Sequence, residues 1–280
     1  MNKKVTTNTF QKMKENNQKI SMLTAYDYPT AKLMDESGID SILVGDSLGS
    51  AVLGYQDTTK VTMEDMIHHS KAVARGAQRA LVVVDMPFLS VHLGKEKAVY
   101  NAGRLMQEGN AQAVKIEGGT EIAEIVKAIT TAGIPVMGHI GLTPQQVHQL
   151  GGYFVQGRTT AQAEKLIEDA LAIQEAGAFS IVLELIPAEL ATIVSQKLAI
   201  PTIGIGAGVG CDGQVLVVHD MLGLFQGNTP SFAKKYVDLT TEMKRAFVQY
   251  HQEVLAETFP TTEHERKLDQ EIYEKLISKQ

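Results

Sequence analysis

The sequence predicts an α/β fold, a (β/α)8 TIM barrel with additional C-terminal helices. Three observations carry that expectation. Eight short apolar runs rich in β-branched residues recur along the 280 residues, most are separated by stretches of helical period, and glycines stand where several of those helices should stop. Alternation of this kind implies parallel strands joined by right-handed crossovers.

The elements follow in order. A strand at 20–24 and a helix at 29–37 come first, then a strand at 41–44 and a helix at 63–75. The strand at 80–84 precedes a helix at 96–108, and the strand at 113–116 precedes a helix at 121–132. The fifth strand is read at 135–138, a helix at 161–175, and the sixth strand at 179–183. Each of these helices starts near a Pro, Thr, Asp or Glu, and Gly38, Gly109, Gly133 and Gly177 fit left-handed C-caps. The last two strands are read at 201–205 and 214–218; the 207–213 connection is too short for a full helix and is read as a turn. Beyond them lie a Gly/Pro/Asn segment at 223–230, a helix at 232–258 and a charged helix at 263–279. The many Glu and Lys residues of that last helix favour a solvated face over an oligomer contact. No Ser/Pro/Gly tract divides the chain, so the expectation is a single barrel domain over 1–280 with a helical extension at about 230–280.

Composition narrows the function. A formal charge of −6 and the lack of basic runs with interleaved aromatics argue against a nucleic-acid partner and for a small molecule. Cys211 is the lone cysteine, which excludes an intrachain disulfide and suits a reducing cytoplasm. Residues 1–19 are polar and do not read as a secretory signal. No stretch approaches the roughly 18 apolar residues of a membrane span. The best candidate, 181–190, is interrupted by Glu184, Pro187 and Glu189.

Barrel active sites are built where strands end at their carboxyl ends. Strand one ends at Thr24, Tyr26 and Asp27, strand two at Asp46 and Ser47, and strand three at Asp85. Strand four ends at Lys115 and Glu117, strand five at His139, and strand six at Glu184. One such acid alone is as readily a loop cap; Asp46, Asp85 and Glu117 on neighbouring strands give an all-oxygen cluster that prefers Mg²⁺ or a similar hard cation. Lys115 and Glu117 are two apart, so both point into the mouth. The lysine is either an ion-pair partner of the acids or a grip on a substrate carboxylate or keto oxygen. Glu184 lies in an apolar frame that should raise its pKa toward that of a general base, the alternative being a cross-strand hydrogen bond. His139 could be a hydrogen-bond donor, a metal ligand or, slightly favoured, a packed core residue. The glycines of Gly204-Ile-Gly-Ala-Gly208 are read mainly as close backbone approach to a ligand.

These residues stand in motifs that resemble the ketopantoate (3-methyl-2-oxobutanoate) hydroxymethyltransferase family. They include Thr24-Ala-Tyr-Asp27, Val44-Gly-Asp-Ser-Leu-Gly49, Val84-Asp-Met-Pro-Phe88 and Val114-Lys-Ile-Glu-Gly-Gly119. Gly138-His-Ile-Gly-Leu-Thr-Pro144, Gln149-Leu-Gly-Gly-Tyr153, Cys211-Asp-Gly-Gln214 and His219-Asp-Met-Leu-Gly-Leu224 continue the likeness, which spans 24–239. The resemblance implies transfer of a hydroxymethyl group from 5,10-methylenetetrahydrofolate to 3-methyl-2-oxobutanoate, giving 2-dehydropantoate for pantothenate synthesis. It implies one Mg²⁺ per subunit at Asp46, Asp85 and Glu117, keto-acid contacts at Asp46, Ser47, Asp85 and Lys115, and proton abstraction by Glu184, with His139 in support. It also implies a homodecamer.

Two rivals remain open at this point. A barrel of the phosphoenolpyruvate mutase and isocitrate lyase kind would need further cations for phosphate or a second carboxylate, for which Arg158 is the one loop candidate. A non-catalytic barrel would bind the keto acid without turning it over.

Overall fold

The computed structural model describes residues 3–224 and 230–279. Its strands are β1 (Ile20–Thr24), β2 (Ser41–Val44), β3 (Leu81–Asp85), β4 (Ala113–Glu117), β5 (Val136–Gly141), β6 (Ser180–Glu184), β7 (Thr202–Ile205) and β8 (Gly213–Leu216). They are all parallel and close in sequence order, β8 returning to β1 through pairs from Ile20↔Gly213 to Leu23↔Leu216. Helices Tyr28–Glu36, Met63–Gly76, Lys95–Gln107, Ala123–Thr131, Thr160–Glu175 and Ala188–Lys197 fill the connections from β1 through to β7. As expected, β7 and β8 are joined without a helix.

Strand geometry explains where the core ends and the chemistry begins. Alternate residues of a strand face opposite sides. One row of side chains, drawn from every strand, fills the barrel: Ile20, Met22, Leu43, Leu81, Val83, Ala113, Met137, Val182, Ile203 and Val215. The intervening row, with Val82, Val84, Val114, Ile116, Ile140 and Ile181, packs outward against the helices. Continued by one step toward the carboxyl end, the inward row becomes Thr24, Asp85, Lys115, His139 and Glu184. Glu117 extends it by one more step.

An unanticipated helix, Thr7–Glu15, closes the opposite end. Its polar sequence hides a narrow apolar edge, and Phe10, fully buried, meets Phe179 edge-on at 5.8 Å. Lys14 ties it down through Asp212 Oδ2 at 2.7 Å.

The last two helices are shorter than the sequence suggests, running Leu239–Leu255 and Gln270–Ile277. Each begins where an aspartate caps it: Asp238 accepts from Thr241 N, and Asp269 from Glu271 N and Ile272 N. Of the 223–230 segment, residues 225–229 lie outside the described residues. No described helix is long and apolar enough to cross a membrane. Three of the four expected glycine caps have positive φ, Gly38, Gly133 and Gly177. At the fourth, the left-handed residue is Asn110. Gly109 is needed for space instead, because a Cβ there would lie 2.6 Å from Leu105 O and 3.0 Å from Ser70 Oγ.

Candidate active site

Every site residue expected from the sequence lines one pocket of about 100 Å³ at the carboxyl end of the barrel: Asp46, Ser47, Asp85, Lys115, Glu117, His139 and Glu184. Cross-strand register explains the convergence. Asp85 pairs with Lys115, Glu117 with His139, and Gly141 with Glu184, so the polar steps of β3 to β6 form adjacent levels of one wall. The loop after β2 brings in Asp46, whose backbone N–H donates to Asp85 Oδ2 at 3.0 Å.

Lys115 is the hub. Its Nζ is 2.8 Å from Asp85 Oδ1 and 3.1 Å from His139 Nδ1. An ammonium has only protons to give, so Nδ1 accepts and the neutral imidazole carries its hydrogen on Nε2. Burial and the Lys115 charge both hold His139 well below the usual imidazole range, in keeping with a neutral ring. Its Nε2 lies 3.1 Å from Glu184 Oε2, close but without hydrogen-bond alignment. Burial alone would favour a neutral lysine; Asp85, Glu117 and Asp46 outweigh it and hold Lys115 above its ordinary value.

The carboxylates outnumber this cation. Burial, reinforced by Asp85, pushes Asp46 up to about 7, and burial with Asp46 lifts Glu117 well above the carboxylate range. Glu184 is pushed up to about 7 by burial, against the opposing pull of Lys115. The backbone steers it: Leu185 takes a left-handed φ of 49°, and a Cβ on Gly141, itself at φ 94°, would meet Glu184 O at 2.2 Å.

A buried excess of carboxylate is costly unless a cation shares it, and the oxygen-only donors Asp46, Asp85 and Glu117 fit a hard divalent ion. Among the described residues, no three His, Cys, Asp or Glu side chains form a ready-made ligand group. An ion held there would have to draw water or substrate oxygens into its coordination, as Mg²⁺ commonly does.

Gln145 escaped the sequence reading. Its Nε2 donates to Asp46 Oδ2 at 2.7 Å and to Met86 O at 2.9 Å, and its backbone N–H donates to Glu117 Oε2 at 3.0 Å. It thereby fixes two acids from different strands. Tyr26, noted at the end of β1, meets Ser47 Oγ at 2.8 Å through its hydroxyl.

A second cavity, of about 610 Å³, opens onto the first, and residues lining both include Ser47, Thr58, Pro144, Glu184 and Ile205. Arg158 lines neither, and Lys115 is the one Lys or Arg among the described residues lining them. That leaves no arginine to grip a phosphate or a second carboxylate. The glycine turn after β7 is required by the chain's own packing. Cβ atoms at Gly204, Gly206 and Gly208 would meet Cys211 Sγ at 2.9 Å, the Phe232 ring at 2.8 Å and Ala188 Cβ at 2.5 Å.

The sequence model of the family described as ketopantoate hydroxymethyltransferase matches residues 4–262. A 3-methyl-2-oxobutanoate hydroxymethyltransferase of Clostridium novyi (strain NT) is 58% identical over 98% of this chain and 99% of its own. One from Acetivibrio thermocellus is 55% identical over 99% and 98%. Among solved structures, a phosphonopyruvate hydrolase superposes with TM-score 0.63 at 12% identity, covering 98% of this chain and 96% of its own. A 2,3-dimethylmalate lyase of the PEP mutase/isocitrate lyase superfamily does so with TM-score 0.58 at 16% identity, covering 97% and 94%. Those two likenesses are of fold alone.

Proposed function

Because the chain belongs to the ketopantoate hydroxymethyltransferase family, we propose that it adds a hydroxymethyl group to 3-methyl-2-oxobutanoate, with 5,10-methylenetetrahydrofolate as the carbon donor, to give 2-dehydropantoate for pantothenate synthesis. Neither the keto acid nor the methylene supplies the oxygen of the new hydroxyl, so water does. The observation that carries this reading is Glu184: a carboxylate pushed up to about 7 that shares a 100 Å³ pocket with Lys115 and three further acids.

The keto acid fits the inner pocket, its carboxylate and keto oxygens facing Lys115 Nζ and the hydroxyl of Ser47. Asp46, Asp85 and Glu117 would hold one Mg²⁺ per subunit, which when bound supplies Lewis-acid polarisation of the keto carbonyl. Glu184 takes the proton from C3, and its raised affinity for a proton suits it to do so near neutral pH. Lys115 offsets charge as it develops on the keto oxygen. His139, neutral, keeps Lys115 and Glu184 apart and in place from between them. The adjoining cavity has room for the donor, and its mouth reaches Glu184.

The two C-terminal helices bury none of their residues and expose Phe247, Tyr250, Val254, Ile272, Tyr273 and Leu276. Apolar faces of this extent support a homo-oligomer, a decamer by family resemblance. A lone buried cysteine supports a reducing compartment, the cytoplasm.

Product formation by Glu184→Gln tests the assignment. The variant keeps the shape and loses the base, so turnover should fall by about 10²- to 10⁴-fold. Turnover near the wild-type rate would remove Glu184 from the mechanism.

A further inference from the structure

Thr58 is buried, 5% exposed, yet its hydroxyl has no hydrogen-bond partner among the described residues. Such an atom costs free energy in the free protein, because water is lost and nothing replaces it. Its location gives the cost a reason. Thr58 lines both the 100 Å³ pocket and the 610 Å³ cavity, so it stands with Glu184 in the throat between them.

The throat is held from both sides. Asp57 accepts from Thr59 N at 2.9 Å, which fixes the turn carrying Thr58, and its Oδ2 meets His148 Nε2, from the loop after β5, at 3.2 Å. The outer cavity is otherwise largely apolar, with Ala51, Leu142, Leu185, Leu216 and Phe232 in its wall. A second buried atom without a partner among the described residues, His219 Nδ1, belongs to another of its wall residues. A mainly apolar cavity with a few placed polar groups is the usual form of a small-molecule site.

We propose that Thr58 is a contact for the one-carbon carrier: its hydroxyl hydrogen-bonds the carrier's nitrogen-bearing ring at the throat and holds the carbon to be transferred toward the keto acid. The assignment rests on the functional reading above. It follows from size and position together. The inner pocket takes the small acid, the outer cavity takes the larger donor, and the transferred carbon has to lie where they meet.

The test compares Thr58→Val, which keeps the shape and deletes the hydroxyl, with Thr58→Ser, which keeps the hydroxyl. Three quantities are measured: the thermal midpoint, kcat/KM for 5,10-methylenetetrahydrofolate, and exchange of the keto acid's C3 hydrogen with D₂O in the absence of folate. Thr58→Val should melt no lower than wild type, since the group it removes is unpaired in the free protein. Its kcat/KM for the folate should fall roughly 10- to 100-fold, the effect of leaving a buried ligand atom unpaired. Exchange should fall far less than transfer, and Thr58→Ser should recover most of the loss. Wild-type kcat/KM in Thr58→Val would overturn the proposal, as would equal losses in transfer and exchange, which would make Thr58 a keto-acid contact. If wild type itself neither exchanged nor transferred, the functional reading would fall first, independently of either variant.

Discussion

Glu184 carries opposite consequences for catalysis and for stability. Its folded-state proton affinity is raised by burial to about 7, so in the unliganded protein ionisation works against folding. The sign follows from linkage: with the folded pKa above the ordinary value, the favourable contribution is complete below about 4.5 and is lost as pH rises through 7. Glu184→Gln never ionises. Thermal melts of the metal-free protein should therefore show little gain for the variant at pH 4.5 and a gain approaching about 3 kcal/mol at pH 8, one pKa unit being worth about 1.4 kcal/mol. An equal gain at both pH values would mean that burial is not what sets this carboxyl. The same residue shows how much of the site was legible: Ile181-Val-Leu-Glu184 puts an acid at the end of an apolar run, and Lys115 and Glu117, two apart, had to share a face. Gln145 and Thr58 were not legible. Gln145 lies 99 positions from Asp46 along the chain, and only the folded loops bring the two together.

At the scale of the elements, the barrel separates stability from chemistry. Its inward row is mainly apolar, with Ser41 and Ser180 at the floor bonded to Leu81 O and Pro201 O, and it gathers titratable groups only at the last steps of β3 to β6. The floor is closed by the helix Thr7–Glu15, which a periodicity reading missed because a single turn of it, around Phe10, is buried. Phe10→Ala should cost about 3–5 kcal/mol, the usual loss for a buried aromatic truncated in a packed core. Because the change is at the opposite end from Glu184, kcat at a temperature where the variant remains folded should stay within about twofold of wild type, since distant sites act independently. Denaturant titration and steady-state rates measure the two quantities. A large fall in kcat without loss of stability would mean that the floor helix reaches the mouth energetically. Helix ends were less legible than helix existence: Asp238 and Asp269 set the starts of the last two helices by capping, whereas the apolar pattern begins earlier.

For the whole molecule, alternation of strands and helices made the closed barrel legible, since consecutive parallel strands with one crossover each have few other ways to bury both faces of a sheet. What each exposed surface meets was not legible. The charged composition of the last helix pointed to solvent, yet Ile272, Tyr273 and Leu276 stand exposed on it, and Phe247 and Tyr250 on the helix before. If these faces join subunits, Phe247→Glu should shift the sedimentation profile toward smaller species, and an unchanged profile would assign assembly to another surface. On the proposed function, inward-facing acids and one lysine, with a hard cation, would make a keto acid enolisable without help from the carbon donor. NMR of the C3 hydrogen of 3-methyl-2-oxobutanoate in D₂O, with wild-type enzyme and no folate, measures that step alone. Rapid exchange on addition of Mg²⁺, abolished by a chelator, is the expected result; binding of the keto acid with no exchange at any Mg²⁺ concentration would contradict it.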